Sequence, residues 1–306
     1  MSITIVVSQM VMIFAMILVG VYLYKTHHIT TESSKDLSWI IVNITNPITL
    51  LCAALKDENK IGIRELGTAF LCFVGVYALL IAVAYILPRL LMVEKDRRYE
   101  YRMLTIFGNV GFIGIPFASA VLGPHSLIFV AICGLVFNFI MYSYGFDELS
   151  RVAGRKAQTG KLGFLNSGTV MAVVTLVVYI VNVQVPVGVS RFLEYIGNCT
   201  TFLSMIVLGV SVAQMVLPQV FGNKRLYLFI VLRQVGVPIL VSFLLRPLGL
   251  PELMLRTIVV MCAMPAGNMP LMVAKSLGIP DDTISGGIIF TTLATIVTIP
   301  IVMLFL

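Results

Sequence analysis

The stretch MPAGNMP at 264–270 interrupts an apolar run that extends from 254 to 277. The run is long enough to cross a bilayer, which takes about 20 apolar residues in a helix. Proline has no backbone N–H and its ring clashes with the preceding turn, so Pro265 and Pro270 oppose a continuous helix. The sequence therefore predicts a helix that is broken near the middle of the membrane, with Asn268 inside the break.

A second apolar run, 102–123, contains the comparable stretch GNVGFIGIP at 108–116. Its glycines weaken a helix interior, and Pro116 closes the stretch with a residue that an unbroken helix excludes. One such kink means little, because Gly and Pro are commoner in transmembrane helices than in soluble ones. Two interruptions, with Asn109 in one and Asn268 in the other, predict a pair of broken helices that share one site.

The whole chain has the composition of a membrane protein. Of its 306 residues, 59% are hydrophobic and 11% are charged, compared with roughly 25% charged in a soluble domain. Lipid offers no partners to backbone polar groups, so only helices or closed barrels cross it, and these runs lack the alternation of barrel strands. We predict an all-α membrane protein with ten spans, at 3–24, 37–55, 65–87, 102–123, 125–146, 167–183, 192–215, 225–245, 254–277 and 283–306.

The polar connection 151–166 divides the predicted spans into two sets of five. We therefore predict a first repeat at 1–150, a cytoplasmic linker at 151–166 and a second repeat at 167–306. Because each repeat has an odd number of spans, two homologous repeats lie in opposite orientations, so the repeat is inverted. Residues of the same type recur at an offset of 155, namely Asn43 with Asn198, Thr45 with Thr200, and Gly123 with Gly278.

The distribution of basic residues predicts the orientation of the chain. The connections after odd-numbered spans, counted with the adjoining span ends, hold 13 Lys and Arg residues, and those after even-numbered spans hold 6. Basic residues are retained on the cytoplasmic side. We therefore expect a multi-pass protein of the inner (cytoplasmic) membrane with both termini outside.

The two broken spans are the place to look for a solute site. Inverted repeats with broken helices hold their solute where the discontinuous helices meet. Unwound backbone exposes N–H groups and the positive ends of half-helix dipoles, which favour a carboxylate or similar anion. Asparagine side chains add hydrogen bonds without a buried charge. The candidate substrate-binding residues of these spans are Asn109, Gly111, Gly114, Pro116, Pro265, Gly267 and Asn268.

Other polar residues lie inside the remaining predicted spans. Small polar side chains commonly bond between packed transmembrane helices, so each is either an interhelical contact or a substrate ligand. Arg233 is a charge well inside a span, where it either brings positive potential to an anion or bonds the carbonyls of a broken helix. These further candidates are Asn46, Thr49, Asn138, Thr201 and Arg233.

Several function classes have no support in the sequence. No Asp or Glu lies at the centre of a predicted span, which argues against a pure cation antiporter. The chain has no HExxH, GxSxG or phosphate-loop motif, so we expect no enzyme activity and no cofactor. The three histidines are not spaced as a metal site, and the five cysteines fall inside apolar runs as packing residues. We interpret the net charge of +7 as membrane topology and expect no nucleic-acid partner.

The fourth and ninth spans resemble those of a known family. The string NVGFIGIP, which begins at Asn109, resembles the crossover motif of the auxin efflux carrier family. The strings MPAGNMPLMVAKSLGIPDD at 264–282 and TISGGIIFTTLATIVTIPI at 283–301 resemble the ninth and tenth helices of that family. Pro47 in the second span and Arg233 in the eighth also fit. The family includes plant PIN auxin exporters and bacterial permeases for malonate, malate and related organic acids.

The resemblance implies a fold and a mechanism. The fold consists of two inverted five-helix repeats with crossing broken helices 4 and 9, like PIN, NhaA and the bile-acid symporters. Spans 1, 2, 6 and 7 form a scaffold, spans 3 to 5 and 8 to 10 form a transport domain that moves like an elevator, and Asn109 contacts the anion. The central loop is short, unlike the long regulated loop of many plant members, which argues against auxin itself as the substrate.

We therefore expect a secondary transporter of small organic anions, such as malonate, malate or auxin-like acids. The expected partners are this anion and the lipid bilayer, and a homodimer through the scaffold helices stays open. The alternatives are a sodium-coupled organic-anion symporter of bile-acid type and a non-transporting membrane receptor. An intramembrane enzyme is the least supported alternative, because the chain lacks a recognisable nucleophile with a base.

Overall fold

The computed structural model of the chain describes residues 3–56, 61–154, 166–214, 224–280 and 282–306. This described part contains twelve helices longer than one turn and no β-strand. Their bounds are α1 Ile3–Lys25, α2 Thr31–Leu55, α3 Ile63–Leu90, α4 Arg98–Ile106, α5 Val110–Val121, α6 Ser126–Val152, α7 Ser167–Val181, α8 Val187–Ala213, α9 Arg225–Leu248, α10 Glu252–Ala263, α11 Met269–Leu277 and α12 Thr283–Met303.

The helices coincide with the apolar runs of the sequence. Six of them (α2, α3, α6, α8, α9 and α12) are long and apolar enough to cross a membrane. The runs 102–123 and 254–277 each contain two shorter helices, α4 with α5 and α10 with α11. The all-helical prediction is confirmed for the described residues, whereas ten crossings in two inverted repeats stay a prediction. Most of the predicted linker, residues 155–165, lies outside the described part of the chain.

Prolines are accommodated inside three of these helices by a wide turn that precedes them. A proline ring clashes with the carbonyl of the residue four positions earlier and leaves that carbonyl without its usual donor. A π-type turn widens the helix locally, and here it contains that fourth preceding residue in each case. The wide turns are Ile41–Thr45 before Pro47, Val110–Gly114 before Pro116, and Val231–Gly236 before Pro238.

The chain forms two compact units, each drawn from several segments. The first unit comprises Met1–Ala69, Val110–Leu135 and Asn166–Met215, and the second comprises Phe70–Asn109, Val136–Leu165 and Val216–Leu306. Predicted spans 1, 2, 6 and 7 fall together in the first unit, and spans 8, 9 and 10 fall in the second together with span 3 from Phe70 onward. Spans 4 and 5 are divided between the two units, at Asn109/Val110 and at Leu135/Val136, which the sequence analysis did not anticipate.

In the first unit, α8 packs closely against α1 and α2. A Cβ atom on Gly20 of α1 would lie 2.9 Å from the Cα of Ile206, and one on Gly209 of α8 would lie 2.7 Å from the Cα of Gly20. The two backbones therefore touch where these glycines meet. On the α2 side, the Thr49 hydroxyl lies within hydrogen-bond distance of the carbonyl of Gly197 (3.0 Å) and of the hydroxyl of Thr200 (2.8 Å). Such bonds join packed transmembrane helices.

In the second unit, α4, α9, α10 and α12 surround a buried core. The rings of Tyr101 in α4 and Phe229 in α9 meet edge to face with their centroids 5.4 Å apart. A Cβ atom on Gly287 of α12 would lie 2.9 Å from the Cδ2 of Leu104, so α4 and α12 are in close contact there. These contacts fix the end of α4 and the first turns of α12 around the interrupted segments described next.

Candidate functional site

Both interrupted helices are broken, as the sequence predicts, and both breaks lie in the second unit. The first break comprises Phe107, Gly108 and Asn109, between the end of α4 and the start of α5. Phe107 has the extended conformation, with φ −101° and ψ 92°. The second break comprises residues 264–268, between α10 and α11, and Met264 leaves the helix with φ −58° and ψ 144°.

The two breaks pair with each other as a short antiparallel bridge between Gly108 and Ala266. The backbone N–H of Asn109 donates to the carbonyl of Pro265 at 2.7 Å, and the N–H of Gly267 donates to the carbonyl of Phe107 at 2.8 Å. The broken helices therefore meet at their breaks. Backbone groups released from one helix are satisfied by the other, as the interior of a membrane requires.

The pairing brings two backbones so close that it depends on a glycine. A Cβ atom at position 267 would lie 2.9 Å from the carbonyl oxygen of Gly108 and 3.1 Å from its carbonyl carbon. Real Cβ atoms do not approach backbone atoms this closely. At Gly108 itself, an added Cβ would meet its nearest neighbours at 3.6 Å, which is ordinary contact.

The pairing corrects one expectation about the released amides, which the sequence analysis assigned to an anion. The amides of Asn109 and Gly267 donate across the bridge, and the amide of Ala266 donates to the Thr291 hydroxyl of α12 at 3.1 Å. These three amides therefore serve the protein itself. The first turns of α5 and α11 hold the amides that a helix leaves without an intrahelical partner.

Arg233 connects the two helices that end at the breaks. Its Nε donates to the carbonyl of Thr105 in α4 at 2.6 Å, and its Nη1 donates to the carbonyl of Cys262 in α10 at 2.7 Å. The residue is 2% exposed. Of the two roles that the sequence left open for Arg233, the geometry shows the second, a bond to the carbonyls of broken helices.

The next residue, Gln234, supports the same structure from a second direction. Its Nε2 donates to the backbone carbonyl of Thr291 at 3.0 Å, and the hydroxyl of Thr291 accepts the amide of Ala266. Neighbouring residues of an ordinary helix point about 100° apart. The wide turn Val231–Gly236 contains both Arg233 and Gln234, and both are buried. The sequence analysis missed Gln234, Thr105 and Thr291, because an interior Thr or Gln carries no distinctive pattern.

The prolines of the two stretches occupy different positions from each other. Pro265 lies inside the second break, and Pro270 lies in the first turn of α11, where a missing N–H costs nothing. Pro116 lies inside α5 behind the wide turn Val110–Gly114, and the break precedes that turn. The first helix therefore breaks at Gly108, and Pro116 does not lie in the break.

The twelve candidate residues divide between the two units. The second unit contains the paired breaks and Arg233 together, with Asn138 buried in α6. Asn109 is 4% exposed. The members in the second unit are Asn109, Asn138, Arg233, Pro265, Gly267 and Asn268, and those in the first are Asn46, Thr49, Gly111, Gly114, Pro116 and Thr201.

Within the first unit, Asn46 lies beside the start of α5. Its Nδ2 is 3.5 Å from the position that a Cβ of Gly111 would occupy. Its Oδ1 is buried and has no hydrogen-bond partner among the described residues. Thr49 is instead bonded between α2 and α8, which is the interhelical role that the sequence gave as its alternative. Thr201 is half-buried on α8.

Asn268 has the N-cap position of α11 without acting as a cap. Its backbone has φ −77° and ψ −15°, and within the described structure its side chain makes no bond to the first-turn amides of α11. An asparagine in this position usually accepts from those amides. Both the side-chain amide and the start of α11 are therefore left without their usual local pairing.

Two carboxylates, Glu100 and Glu148, lie in helices although both fall outside the predicted spans. Glu100 is 3% exposed within α4. Glu148 in α6 forms an ion pair with Arg102 of α4, whose guanidinium also lies 5.0 Å from the ring centroid of Tyr85. Although no carboxylate lies at the centre of a predicted span, Glu100 and Arg102 of α4 lie one to two helical turns before the first break.

Paired breaks in the fourth and ninth spans are what the resemblance of these spans implied. A family model described as "membrane transport protein" matches residues 5–160 and 155–303. The chain belongs to the auxin efflux carrier family. It is therefore a multi-pass membrane protein of a family of membrane transporters.

A protein from Methanocaldococcus jannaschii is similar in sequence to this auxin efflux carrier family member. It is described as an uncharacterized transporter and is 23% identical over 299 residues, which cover 94% of each chain. The similarity extends over nearly the entire length of both proteins, so it includes both broken helices. Its description, like that of the family, specifies transport without a substrate.

Proposed function

We propose that this transporter carries small organic anions, such as malonate, malate or auxin-like acids, across the cytoplasmic membrane by elevator-type alternating access. The observation that supports this most directly is the pairing of the two breaks in the second unit, Gly108 with Ala266. A paired break places helix ends inside the apolar part of the protein, where their partial charges act on a solute with little screening.

The start of α11 supplies the features that suit a carboxylate. Helix N-termini attract anions through their unpaired amides and their dipole. Asn268, at that N-terminus, adds an amide that can donate two hydrogen bonds. Asn109 lies in the opposing break and pairs through its backbone with Pro265. Neutral amides and a helix end are adequate for a small anion and need no lysine or arginine at the site.

In the first unit, Asn46 and the start of α5 repeat this chemistry. The N-terminal turn of α5 follows directly after Asn109 in the chain, and Asn46 lies beside it at Gly111. Asn46 has an amide to donate and an oxygen that needs a donor. We include Asn46 on these grounds as a candidate substrate contact of the first unit.

Counterflow in proteoliposomes tests the proposal. Purified protein is reconstituted with unlabelled malonate or malate inside, and uptake of the labelled acid is followed. We expect Asn109→Ala to abolish uptake while the protein still inserts and purifies as a folded species. Asn198→Ala is the matched control, because Asn198 is an exposed asparagine on α8 and its loss leaves uptake intact. Wild-type uptake by Asn109→Ala would reject the role of Asn109.

A sodium-coupled organic-anion symporter of bile-acid type is the second candidate. Three buried oxygens of the first unit, Thr45 Oγ1, Asn46 Oδ1 and Ser204 Oγ, have no hydrogen-bond partner among the described residues. Neutral oxygens are ligands of hard cations. Replacing sodium by choline in the counterflow assay separates the two functions, since only the symporter loses uptake.

The proposal includes an orientation and an oligomeric state. Both termini face outside, and a homodimer through α1, α2, α7 and α8 stays open as the assembly. Single cysteines introduced at the two termini into a chain without its native cysteines are treated in whole cells with a thiol reagent that does not cross the membrane. Labelling at both termini supports the orientation, and labelling only after lysis reverses it.

A further inference from the structure

Arg233 is a buried cation whose charge is not balanced by any carboxylate in the described part of the chain. Arg233 is 2% exposed, and its two hydrogen bonds to described residues both go to backbone carbonyls. Arginine stays protonated in proteins. A charge in the apolar interior is so costly that something else must compensate it.

The ends of α4 and α10 supply that compensation. Thr105 and Cys262 are each the last residue but one of their helix, so Arg233 bonds the last turn of both. A helix C-terminus carries a partial charge of about −0.5, so two ends sum to about −1. The cation and the two helix ends therefore cancel each other to a first approximation.

This cancellation changes the electrostatic balance of the crossover. In the second unit, the negative ends of α4 and α10 and the positive start of α11 together sum to about −0.5. With Arg233 bonded to the two negative ends, the positive start of α11 remains uncompensated. This part of the second unit then has a net charge of about +0.5.

We infer that Arg233 is a positioning residue that sets the charge preference of the transporter without touching the substrate. It ties α4 and α10 together at their ends and, by neutralising those ends, leaves the start of α11 to attract an anion. This inference rests on the proposed function, because it explains how the same site comes to favour anions.

The surrounding structure is consistent with a fixed role for Arg233. The wide turn Val231–Gly236 carries it, and Gln234 on the same turn is bonded to Thr291 of α12. The guanidinium is thereby held by two carbonyls, and the turn that carries Arg233 is bonded to α12 through Gln234. A group that exchanges between protein and solute on each transport cycle would have to leave both carbonyls without donors in a membrane interior.

Two substitutions separate the charge of Arg233 from its hydrogen bonds. Arg233→Lys keeps a cation with three donors, and Arg233→Gln keeps an amide with two donors but no charge. Each is measured in proteoliposomes with malonate and with its monomethyl ester, which differ by one negative charge. Thermal unfolding without substrate is measured in parallel. Arg191→Gln, at an exposed arginine of α8, is the control.

We expect Arg233→Lys to retain uptake within about threefold, and Arg233→Gln to raise the KM for the monoester roughly tenfold, since two helix ends are then uncompensated. The rise in KM should be larger for malonate, which carries twice the charge. Both variants should unfold at a lower temperature than the wild type even without substrate. Arg191→Gln should match the wild type in all three measurements.

Three outcomes would overturn the inference. They are an unchanged KM ratio of malonate to monoester in Arg233→Gln, unchanged unfolding of both variants without substrate, and a loss in Arg233→Lys as large as in Arg233→Gln. Failure of the wild type to transport any carboxylate would instead count against the proposed function. The unfolding measurement still tests the bonds of Arg233 to α4 and α10 in that case, because it needs no substrate.

Discussion

The two breaks of the crossover differ in how their sequences produce them. The second break has five residues and includes Pro265, whereas the first has three, Phe107, Gly108 and Asn109, and no proline. Both nevertheless leave the helix and pair through the same bridge. The difference teaches that proline is not what holds a break open here. Both breaks share two supports, which are their backbone pairing with each other and the clamp, meaning the hydrogen bonds of Arg233 to the ends of α4 and α10.

A second difference concerns how tightly the two breaks are packed. Gly267 has no room for a Cβ, because the backbone of Gly108 is in the way, whereas Gly108 has ordinary contact distances around it. The pairing is thus asymmetric, although it joins equivalent parts of two helices. Substitutions on the two sides should have unequal effects.

The largest effect is expected at Gly267. Gly267→Ala forces the bridge apart, because its Cβ would lie 2.9 Å from the Gly108 carbonyl oxygen. We expect a destabilisation of about 2 kcal/mol and loss of counterflow. Gly108→Ala is the matched control and should unfold within a few degrees of the wild type. Equal unfolding temperatures of the two variants in detergent would show that the asymmetry has no energetic meaning.

An intermediate effect is expected at Thr291, which supports only the second break. Thr291→Val removes the acceptor of the Ala266 amide and leaves a buried N–H unsatisfied, at a cost of about 1 to 2 kcal/mol. Thr291→Ser should restore the loss. Thr292→Val provides the control, since the Thr292 hydroxyl bonds only the Ile288 carbonyl of its own helix among the described residues. If Thr292→Val unfolds as early as Thr291→Val, the support of the second break by Thr291 is wrong.

The smallest effect is expected at Pro265. If pairing and the Arg233 clamp hold the break open, Pro265→Ala leaves the Asn109 amide bonded to the same carbonyl, now that of alanine. We expect a change in stability below about 1 kcal/mol, mostly through the unfolded chain. Uptake should stay within a few-fold of the wild type. A variant that unfolds cooperatively but no longer transports would show that proline itself maintains the break.

The sequence predicted the features that depend on local chemistry. The apolar runs gave the helices, and the clusters of Gly and Pro gave the two interruptions, with Asn109 and Asn268 inside them. The likeness to a family placed the breaks opposite each other, which the pairing of Gly108 with Ala266 confirms. These features follow from backbone propensity and from the length of a membrane span.

The sequence did not predict the features that depend on distant contacts. Arg233 bonds Thr105 and Cys262, which lie 128 and 29 positions away, and no periodicity indicates such partners. Pro116 was taken to close the first break, but the wide turn before it absorbs the proline and keeps α5 continuous. Whether a helix breaks at a proline or widens ahead of it depends on what pairs with the released carbonyl.

The contact of Gly20 with Gly209 limits how α1 and α8 can move relative to each other within the first unit. Each glycine occupies a notch in the opposite backbone, so α1 cannot slide along α8 unless both notches are vacated at once. This close fit favours one register of the two helices and makes every other register energetically costly. We therefore expect α1 to keep its position relative to α8 during transport, and a spin-label pair on these two helices should report one fixed distance in every state.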